Sequence, residues 1–337
     1  MLNINSGKAG HSVRSWNTEN DTGRDYTEVN IALFNEMSQT RSILRDSLRN
    51  IGFRPGNTEV LAAPDKLHHT VSRGEVDFLV LEADERPSEM CELVRDIRLG
   101  KLGPDPYLVI SIITWRADNH LITDFIKAGA DDVIVMPASV SFASGRVDHL
   151  IDDRREFSVT TDYVGPDRRS KSRSSIDELG TFPVPNGLRY KTTGDESAKP
   201  NAARLRQANR IVEEHRLRRM TLRLEQLAGQ GERFANERPG TPLPNAPMVK
   251  LLDLTEDIEM HSRDGSVSMT ELTASMTGIM QAVMSSSSGR ADMFALLRVH
   301  AQALLSLQRG DKDATELVVR AVKTAKKVVE NRSRKSD

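Results

Sequence analysis

The chain has 337 residues, with 47 lysines and arginines against 48 aspartates and glutamates, so its formal net charge is −1. This length accommodates two ordinary domains, and the balanced charge gives no overall attraction to nucleic acid or anionic lipid. The single cysteine, Cys91, excludes a disulfide framework and a cysteine-rich metal site.

The N-terminal segment is polar and reads MLNINSGKAGHSVRSWNTEN. It lacks the apolar core of a signal peptide, and no apolar stretch approaches the roughly 20 residues that a membrane helix needs. A lone cysteine suits a reducing compartment, so the sequence predicts a cytoplasmic protein without a membrane partner. Residues 1–25 show no hydrophobic periodicity and are predicted to be disordered.

Residues 26–156 alternate short apolar runs with amphipathic segments. Near-continuous apolar strands that alternate with helices are typical of a parallel sheet covered on both faces. The prediction is a doubly wound α/β domain. Its five candidate strands are VNIALF (29–34), TEVLAA (58–63), DFLVLE (77–82), YLVISII (107–113) and DDVIVMP (131–137).

The remaining chain changes character twice. Residues 157–200 are rich in turn formers and charge, which predicts a linker that is either extended throughout or packed at its start through Phe157, Val159 and Tyr163. Over residues 201–332, apolar residues recur at spacings of three and four, which predicts an α-helical bundle or a set of helical hairpins. Residues 333–337 are predicted to be a disordered tail. The expected breaks between helices lie at 236–247, 262–266, 285–289 and 309–311.

Four segments of the first domain, in order, resemble the receiver domain of two-component response regulators. They are NIALFNEM, DFLVLEADERP, ISIITW and AGADDVIVMP, the last being very similar to the family's AGADDYLTKP. Thr114 and Met136 lie 22 positions apart (136 − 114), which is the family's spacing between its threonine and its lysine. The resemblance implies a flavodoxin-like (βα)5 fold and a role in phosphorelay signal transduction.

The family's phosphorylation site needs a carboxylate nucleophile, two further acids that hold Mg²⁺, a hydroxyl and a lysine. Here the lysine position holds Met136, whose thioether neither donates a hydrogen bond nor carries charge. The nucleophile position holds Glu82, which is longer than aspartate and would misplace the nucleophile. The resemblance therefore implies a degenerate receiver that acts by protein–protein docking, without catalysis or a cofactor. It places Glu82 at the phosphoacceptor position, Asn35 and Glu36 at the acidic pair, Thr114 at the hydroxyl and Met136 at the lysine.

Several readings of this site stay open. Glu82 is either a permanent stand-in for the phosphoryl charge or a hydrated acid at the sheet edge. Asp84, two residues later, is an alternative phosphoacceptor that would use Glu36 and Mg²⁺ in a conventional phospho-switch. Val133 stands at the family's aromatic switch position and has no ring, so constitutive display of a docking face is expected instead.

A second motif, DYVGPDRR, spans residues 162–169. Arginine guanidinium groups form forked hydrogen bonds to phosphate and carboxylate, so Arg168 and Arg169 are a candidate anion site. The motif loosely resembles the arginine motif with which PilZ-type domains hold cyclic dinucleotides, which implies a ligand-binding sensor. The alternative is a turn that docks through Tyr163 while its arginines pair with nearby acids.

The helical region carries His261 and His300, the candidates for a histidine phosphotransfer site. His300 is followed by AQAL, without that family's lysine and glycine, and His261 is followed by SRDG, so both are expected to be partly exposed helix residues. The region lacks a helix-turn-helix signature, which predicts no DNA binding. The expected partners are a histidine kinase or downstream effector, with a homodimer through these helices as a further possibility. Four methionines, at 276, 280, 284 and 293, predict either an adaptable interface or core packing.

Overall fold

A computed structural model describes residues 24–168, 180–238, 241, 245–262, 266–285 and 290–336. The chain divides into two compact units that interleave along the sequence. The first unit combines the residues up to Arg155 with Pro185–Pro200, and the second combines Glu156–Val184 with the residues from Asn201 onward. Within the described residues, no helix is both long enough and apolar enough to cross a membrane.

The first unit is an α/β domain with one parallel sheet. Each strand is followed by a helix, which confirms the doubly wound fold. The strands are β1 (Ile31–Phe34), β2 (Thr58–Leu61), β3 (Phe78–Glu82), β4 (Val109–Thr114) and β5 (Asp132–Val135), and their order is β2-β1-β3-β4-β5. The helices are α1 (Ser38–Ile51), α2 (Pro64–Arg73), α3 (Pro87–Arg98), α4 (Asn119–Ala128) and α5 (Val140–Asp152).

The sheet is apolar on both faces because a helical layer covers each. Successive strand residues point to opposite faces, so Leu79 and Leu81 of β3 pack with α2, α3 and α4. Phe78 and Val80 of the same strand pack with α1 and α5 on the other face. Every residue of β3 and β4 is buried. The strand ends are therefore the places where the sheet presents polar side chains.

A buried ion cluster joins Arg98 of α3, Asp131 just before β5, and Arg154 just after α5. Arg98 Nη2 lies 2.8 Å from Asp131 Oδ2, and Arg154 Nε lies 2.8 Å from Asp131 Oδ1. The backbone N–H of Ile110 also donates to Asp131 Oδ2. Burial alone would raise the pKa of Asp131, but the guanidinium groups of Arg154 and Arg98 hold it below its usual value. Asp131 and the two arginines are therefore held together by ion pairs inside the fold.

Residues 157–200 are not extended throughout, and their start, which belongs to the second unit, packs through Phe157 and Val159. Strands β6 (Phe157–Val159) and β7 (Val164–Pro166) form an antiparallel hairpin. Phe157 also exchanges two backbone hydrogen bonds with Phe182. Both phenylalanine side chains are buried, so isolated apolar residues in a polar stretch are enough to fold it.

The later part of the same stretch belongs to the first unit. Helix α6 (Gly187–Thr193) begins after Asn186, whose side chain caps it by accepting from the Arg189 N–H. The Asn186 amide also donates to the carbonyl of Leu150 at 2.8 Å. Leu188 is fully buried in the core that α1 and α5 share. The first unit is therefore incomplete without residues 185–200.

The second unit is mainly helical, as expected for residues 201–332. Its core is rich in methionine and leucine, and Met276, Met280 and Met293 are fully buried while Met284 is exposed. Core packing therefore accounts for three of the four methionines. The helices are α7 (Ala202–Glu237), α8 (Asn245–His261), α9 (Val267–Ser285), α10 (Arg290–Arg309) and α11 (Ala314–Ser336).

Three expectations about individual segments change. Residues 1–23 of the expected arm lie outside the described part, whereas Arg24 pairs with Asp148 and Asp152 and so belongs to the folded unit. At the other end, helix α11 extends to Ser336 through most of the expected tail. His300 is fully buried rather than partly exposed, because its ring packs inside the helical core.

Candidate functional site

The candidate site lies at the carboxyl edge of the parallel sheet. Asn35 directly follows β1, Glu82 ends β3 and Thr114 ends β4. The register of β3 and β4 pairs Glu82 with Ile113, so the acid and the hydroxyl lie on adjacent strand ends. All three polar side chains are buried, with residue exposures of 0%, 2% and 0%. The structure therefore places these three residues, all assigned to the site by the resemblance, at one edge of the sheet.

Asp84, in the loop after β3, makes the central contacts of the site. The Thr114 hydroxyl donates to Asp84 Oδ1 at 2.5 Å, and the backbone N–H of Trp115 donates to Asp84 Oδ2 at 2.6 Å. The Arg116 N–H in turn donates to Thr114 Oγ1 at 3.1 Å. The hydroxyl that the resemblance assigns to phosphoryl oxygens is thus already bonded to a carboxylate of the same chain.

Glu82 is buried, which corrects the reading of a hydrated acid at the sheet edge. Its Oε1 accepts the backbone N–H of Asp84 at 3.0 Å. Burial raises the pKa of Glu82 to about 7, and the neighbouring Asp84 carboxylate adds to the increase, although the Asp84 N–H works against it. A charged Glu82 is therefore disfavoured in the folded state below neutral pH.

Replacing Glu82 by glutamine is expected to stabilise the protein at pH 8 and to have little effect at pH 4. The folded pKa lies above the unfolded value, so the wild-type carboxyl costs free energy once the pH exceeds the unfolded pKa. This cost grows until the folded pKa is passed, and the gain at pH 8 is expected to be about 1–3 kcal/mol. Urea unfolding at the two pH values checks it, and an equal effect at both would contradict the burial argument.

The side chains at the acidic-pair positions, Asn35 and Glu36, already bond to other groups of the chain. Asn35 Oδ1 accepts the Met37 N–H at 2.7 Å, and its amide donates to Thr40 Oγ1 at 2.9 Å. Both carboxylate oxygens of Glu36 lie 3.1 Å from Nε of Arg86. The oxygens that a divalent cation would need are therefore already engaged by donors of the chain.

The donor set does not fit Mg²⁺. Mg²⁺ prefers carboxylate oxygens in a near-octahedral arrangement, whereas the site offers a neutral amide at Asn35, an arginine-paired Glu36 and a buried Glu82 with a raised pKa. The remaining carboxylate, Asp84, already accepts hydrogen bonds at both oxygens. Within the described ranges, no group of three His, Cys, Asp or Glu side chains is arranged to hold a metal ion.

Met136 and Val133 supply neither a cation nor a mobile ring. The Met136 backbone N–H donates to the Thr114 carbonyl at 2.8 Å, which fixes it beside the site. Its side chain, however, packs on the core that α1 and α5 share. Val133 packs on the opposite face of the sheet, against the core of α3 and α4. Position 136, where the family has its lysine, therefore supplies an apolar side chain to the core and no cation to the site.

The contributions of Arg86 and Trp115 to the site were not predicted from the sequence. Arg86 bonds Glu36 across 50 positions, and Trp115 contributes only its backbone N–H. The position of Arg86 just after one strand of the sheet and of Glu36 just after its neighbour is a signal that could have found the pair, because parallel strand ends meet at one edge.

The DYVGPDRR motif forms part of the β6–β7 hairpin in the second unit. The Tyr163 hydroxyl donates to the Pro166 carbonyl at 2.8 Å, which closes the turn within the motif. Arg168 lies at the end of the described hairpin segment, and Arg169 lies outside the described residues. Anion binding by this pair stays a prediction.

No family model and no curated protein sequence matches the chain. Among solved structures, a response regulator from Thermotoga maritima is 22% identical over 36% of this chain and 95% of its own, with a TM-score of 0.31. Chemotaxis protein CheY4 of Vibrio cholerae is 12% identical over 36% of this chain and 98% of its own (TM-score 0.32). A putative pilus assembly protein from Burkholderia thailandensis is 14% identical over 36% and 96% (TM-score 0.32).

A five-stranded parallel sheet of order β2-β1-β3-β4-β5, with helices on both faces, is the flavodoxin-like architecture of receiver domains. The second unit is mainly helical.

Proposed function

We propose that this is a cytoplasmic signal-transduction protein of the two-component type, whose receiver-like unit works by docking other signalling proteins. In this proposal it has no catalytic step, needs no cofactor and is not switched by aspartate phosphorylation. The observation that carries the proposal is the Asp84 carboxylate, which accepts the Thr114 hydroxyl and the Trp115 N–H.

These contacts remove the gain that a phosphoryl group would offer. Hydrogen bonds to a charged acceptor contribute about 1.5–3 kcal/mol each. A phosphoryl group at this edge would have to displace Asp84 and lose both bonds before it formed its own. Because the two donors already bind the Asp84 carboxylate, phosphorylation would change the free-energy difference between two conformations of the unit very little. The unit is thus held in one state.

The cation side supports the same proposal. A new phosphoryl group carries about −1.5 to −2 charges at neutral pH and needs a cation nearby. Met136 offers none. The two guanidinium groups that contact the acidic pair are engaged, Arg86 by Glu36 and Glu89 and Arg41 by the backbone carbonyls of Asn35 and Glu36. The expected partners are therefore bound in an unphosphorylated state, and they belong to the kinase or effector class.

The proposed docking face is formed by helices α4 and α5. Phe142, at the start of α5, is 54% exposed, and its neighbour Val140 is 37% exposed. Apolar side chains held at a rigid helix start provide anchor contacts for a partner. Their presentation does not depend on a mobile aromatic ring at position 133.

Intact-mass analysis tests the proposal after incubation with acetyl phosphate and Mg²⁺. No phosphoryl adduct is expected on the wild-type chain. The Asp84→Asn and Glu82→Gln variants are measured in parallel as site controls. An adduct that is lost in Asp84→Asn but kept in Glu82→Gln would overturn the proposal, because it would make Asp84 the acceptor of a conventional phospho-switch.

A further inference from the structure

A serine and a histidine of the second unit form a hydrogen-bonded pair between helices α9 and α10. Ser275 Oγ lies 3.0 Å from Nε2 of His300, and Nδ1 of His300 lies 2.8 Å from the carbonyl oxygen of Leu296. A carbonyl oxygen only accepts hydrogen bonds, so Nδ1 carries the proton of the neutral ring and Nε2 is left as the acceptor. The Ser275 hydroxyl therefore donates to His300.

The surroundings of His300 keep its ring in the basic form. The side chain is fully buried, and this burial lowers the pKa of His300, although the hydrogen bond to the Leu296 carbonyl acts in the opposite direction. The ring is therefore neutral at neutral pH. A serine that donates to a neutral histidine, which a third group orients, is the arrangement of an activated nucleophile. Here a backbone carbonyl takes the place of the orienting carboxylate.

Ser275 also lines an open groove between α9 and α11. The groove has a volume of about 500 Å³, which falls within the range of small-molecule sites. Its walls carry the small side chains of Ala274 and Ala325, and a Cβ at Gly278 would meet no atom within 4 Å. The nucleophile thus borders a space that a short unbranched chain can enter.

Two charged side chains line the groove, Glu271 on α9 and Lys326 on α11. Their charges cancel, which favours a neutral occupant. The exposed ammonium group of Lys326 is a cation that can stabilise an oxyanion formed at Ser275. The backbone N–H groups beside Ser275 bond within α9, so they do not form the oxyanion hole of acyl-transfer enzymes. Attack on an activated acyl donor is therefore favoured over repeated turnover.

We propose that Ser275 is an acylation site that takes a short unbranched acyl group from an activated ester or thioester. Ser275 Oγ attacks the acyl carbon while its proton passes to Nε2 of His300. The new C–O bond forms, the bond to the departing oxygen or sulfur breaks, and Nε2 gives the proton to that leaving group. The serine ester is less activated than its donor, so it persists as a modification of the chain. This inference does not rest on the proposed function of the first unit.

The test uses the full-length protein and p-nitrophenyl butyrate. Intact mass, peptide mapping and the absorbance of released p-nitrophenolate follow the reaction. The expected result is a single burst of p-nitrophenolate, with one butyryl group per chain mapped to Ser275. Ser275→Ala is expected to abolish this adduct. His300→Gln keeps a polar side chain but removes the base, and it is expected to slow acylation by about 100-fold or more.

Ser285→Ala is the matched control, because Ser285 is exposed on the same helix and its hydroxyl donates to the carbonyl of Gln281. It is expected to react like the wild type. Gly278→Leu adds a side chain to the groove, where a Cβ has open space, and is expected to slow acylation without unfolding the unit.

Absence of a butyryl adduct on Ser275, or adducts on lysines alone, would overturn the proposal. Equal rates for His300→Gln and the wild type would do the same. If His300→Gln does not fold, reaction of Gly278→Leu at the wild-type rate is the contradicting result. The outcomes remain separable from the test of the proposed function, since phosphoryl and butyryl adducts differ in mass and in the unit that carries them.

Discussion

Replacing Asp131 by asparagine is expected to destabilise the first unit by about 3–5 kcal/mol, because it leaves two buried guanidinium groups without their shared carboxylate. The side chains of Arg98 and Arg154 are 1% and 5% exposed, so water cannot replace the lost anion. Hydrogen exchange at the Ile110 amide, which donates to Asp131, is a local readout, and urea unfolding gives the free energy.

The matched control is Arg73→Ala, which breaks an ion pair with Glu59 whose two side chains are 42% and 43% exposed. Exposed pairs contribute less than about 1 kcal/mol. Similar losses for the two variants would contradict the argument from burial. The folded pKa of Asp131 is depressed. Its stabilisation is therefore present above the unfolded pKa, and it is expected to disappear as the pH falls through the folded pKa.

Replacing Gly231 by alanine is expected to destabilise the second unit by about 1–3 kcal/mol. Alanine normally stabilises the middle of a helix, and Gly231 lies within α7. A Cβ at this position, however, would lie 2.7 Å from Cε1 of Phe294, a fully buried ring of α10. The ring would have to move within a packed core, and thermal or urea unfolding measures the cost.

Gly229→Ala, two residues away in the same helix, is expected to stabilise the second unit instead. A Cβ there would lie 3.5 Å from Cδ of Arg298, an ordinary van der Waals contact. The helix-propensity gain of up to about 1 kcal/mol should therefore be realised. If both alanine variants gained stability equally, the close approach of α7 to α10 at Gly231 would be refuted.

The strands could be predicted because parallel strands covered on both faces leave continuous apolar runs. FLVLE and VISIIT carry this signal without any contribution from distant residues. Over residues 157–200, packing of Phe157 and Val159 at the start could be predicted, but the rest of the fold could not. Phe182 and Leu188 are buried although they are isolated in polar sequence, and their partners lie outside the local pattern.

The sequence predicted which residues lie close together at the site, but it did not predict which hydrogen bonds they form. Strand ends placed Glu82 and Thr114 at one edge of the sheet, and alternation placed Asp84 on the side of Glu82. The loop conformation after β3 decides which acid reaches the hydroxyl, and it sends Asp84 to Thr114 while Glu82 turns to the Asp84 N–H. Burial of Glu82 follows from that loop and from no local sequence signal.

The interleaving of the two units has a consequence for synthesis on the ribosome. The core of the first unit lacks Leu188 and the Asn186–Leu150 bond until residues 185–200 have emerged. By then the β6–β7 hairpin of the second unit is already outside. Domains usually fold in turn from the N-terminus during translation. The first unit is therefore expected to remain incompletely folded, with part of its core exposed, until residues 185–200 have followed the β6–β7 hairpin out of the ribosome.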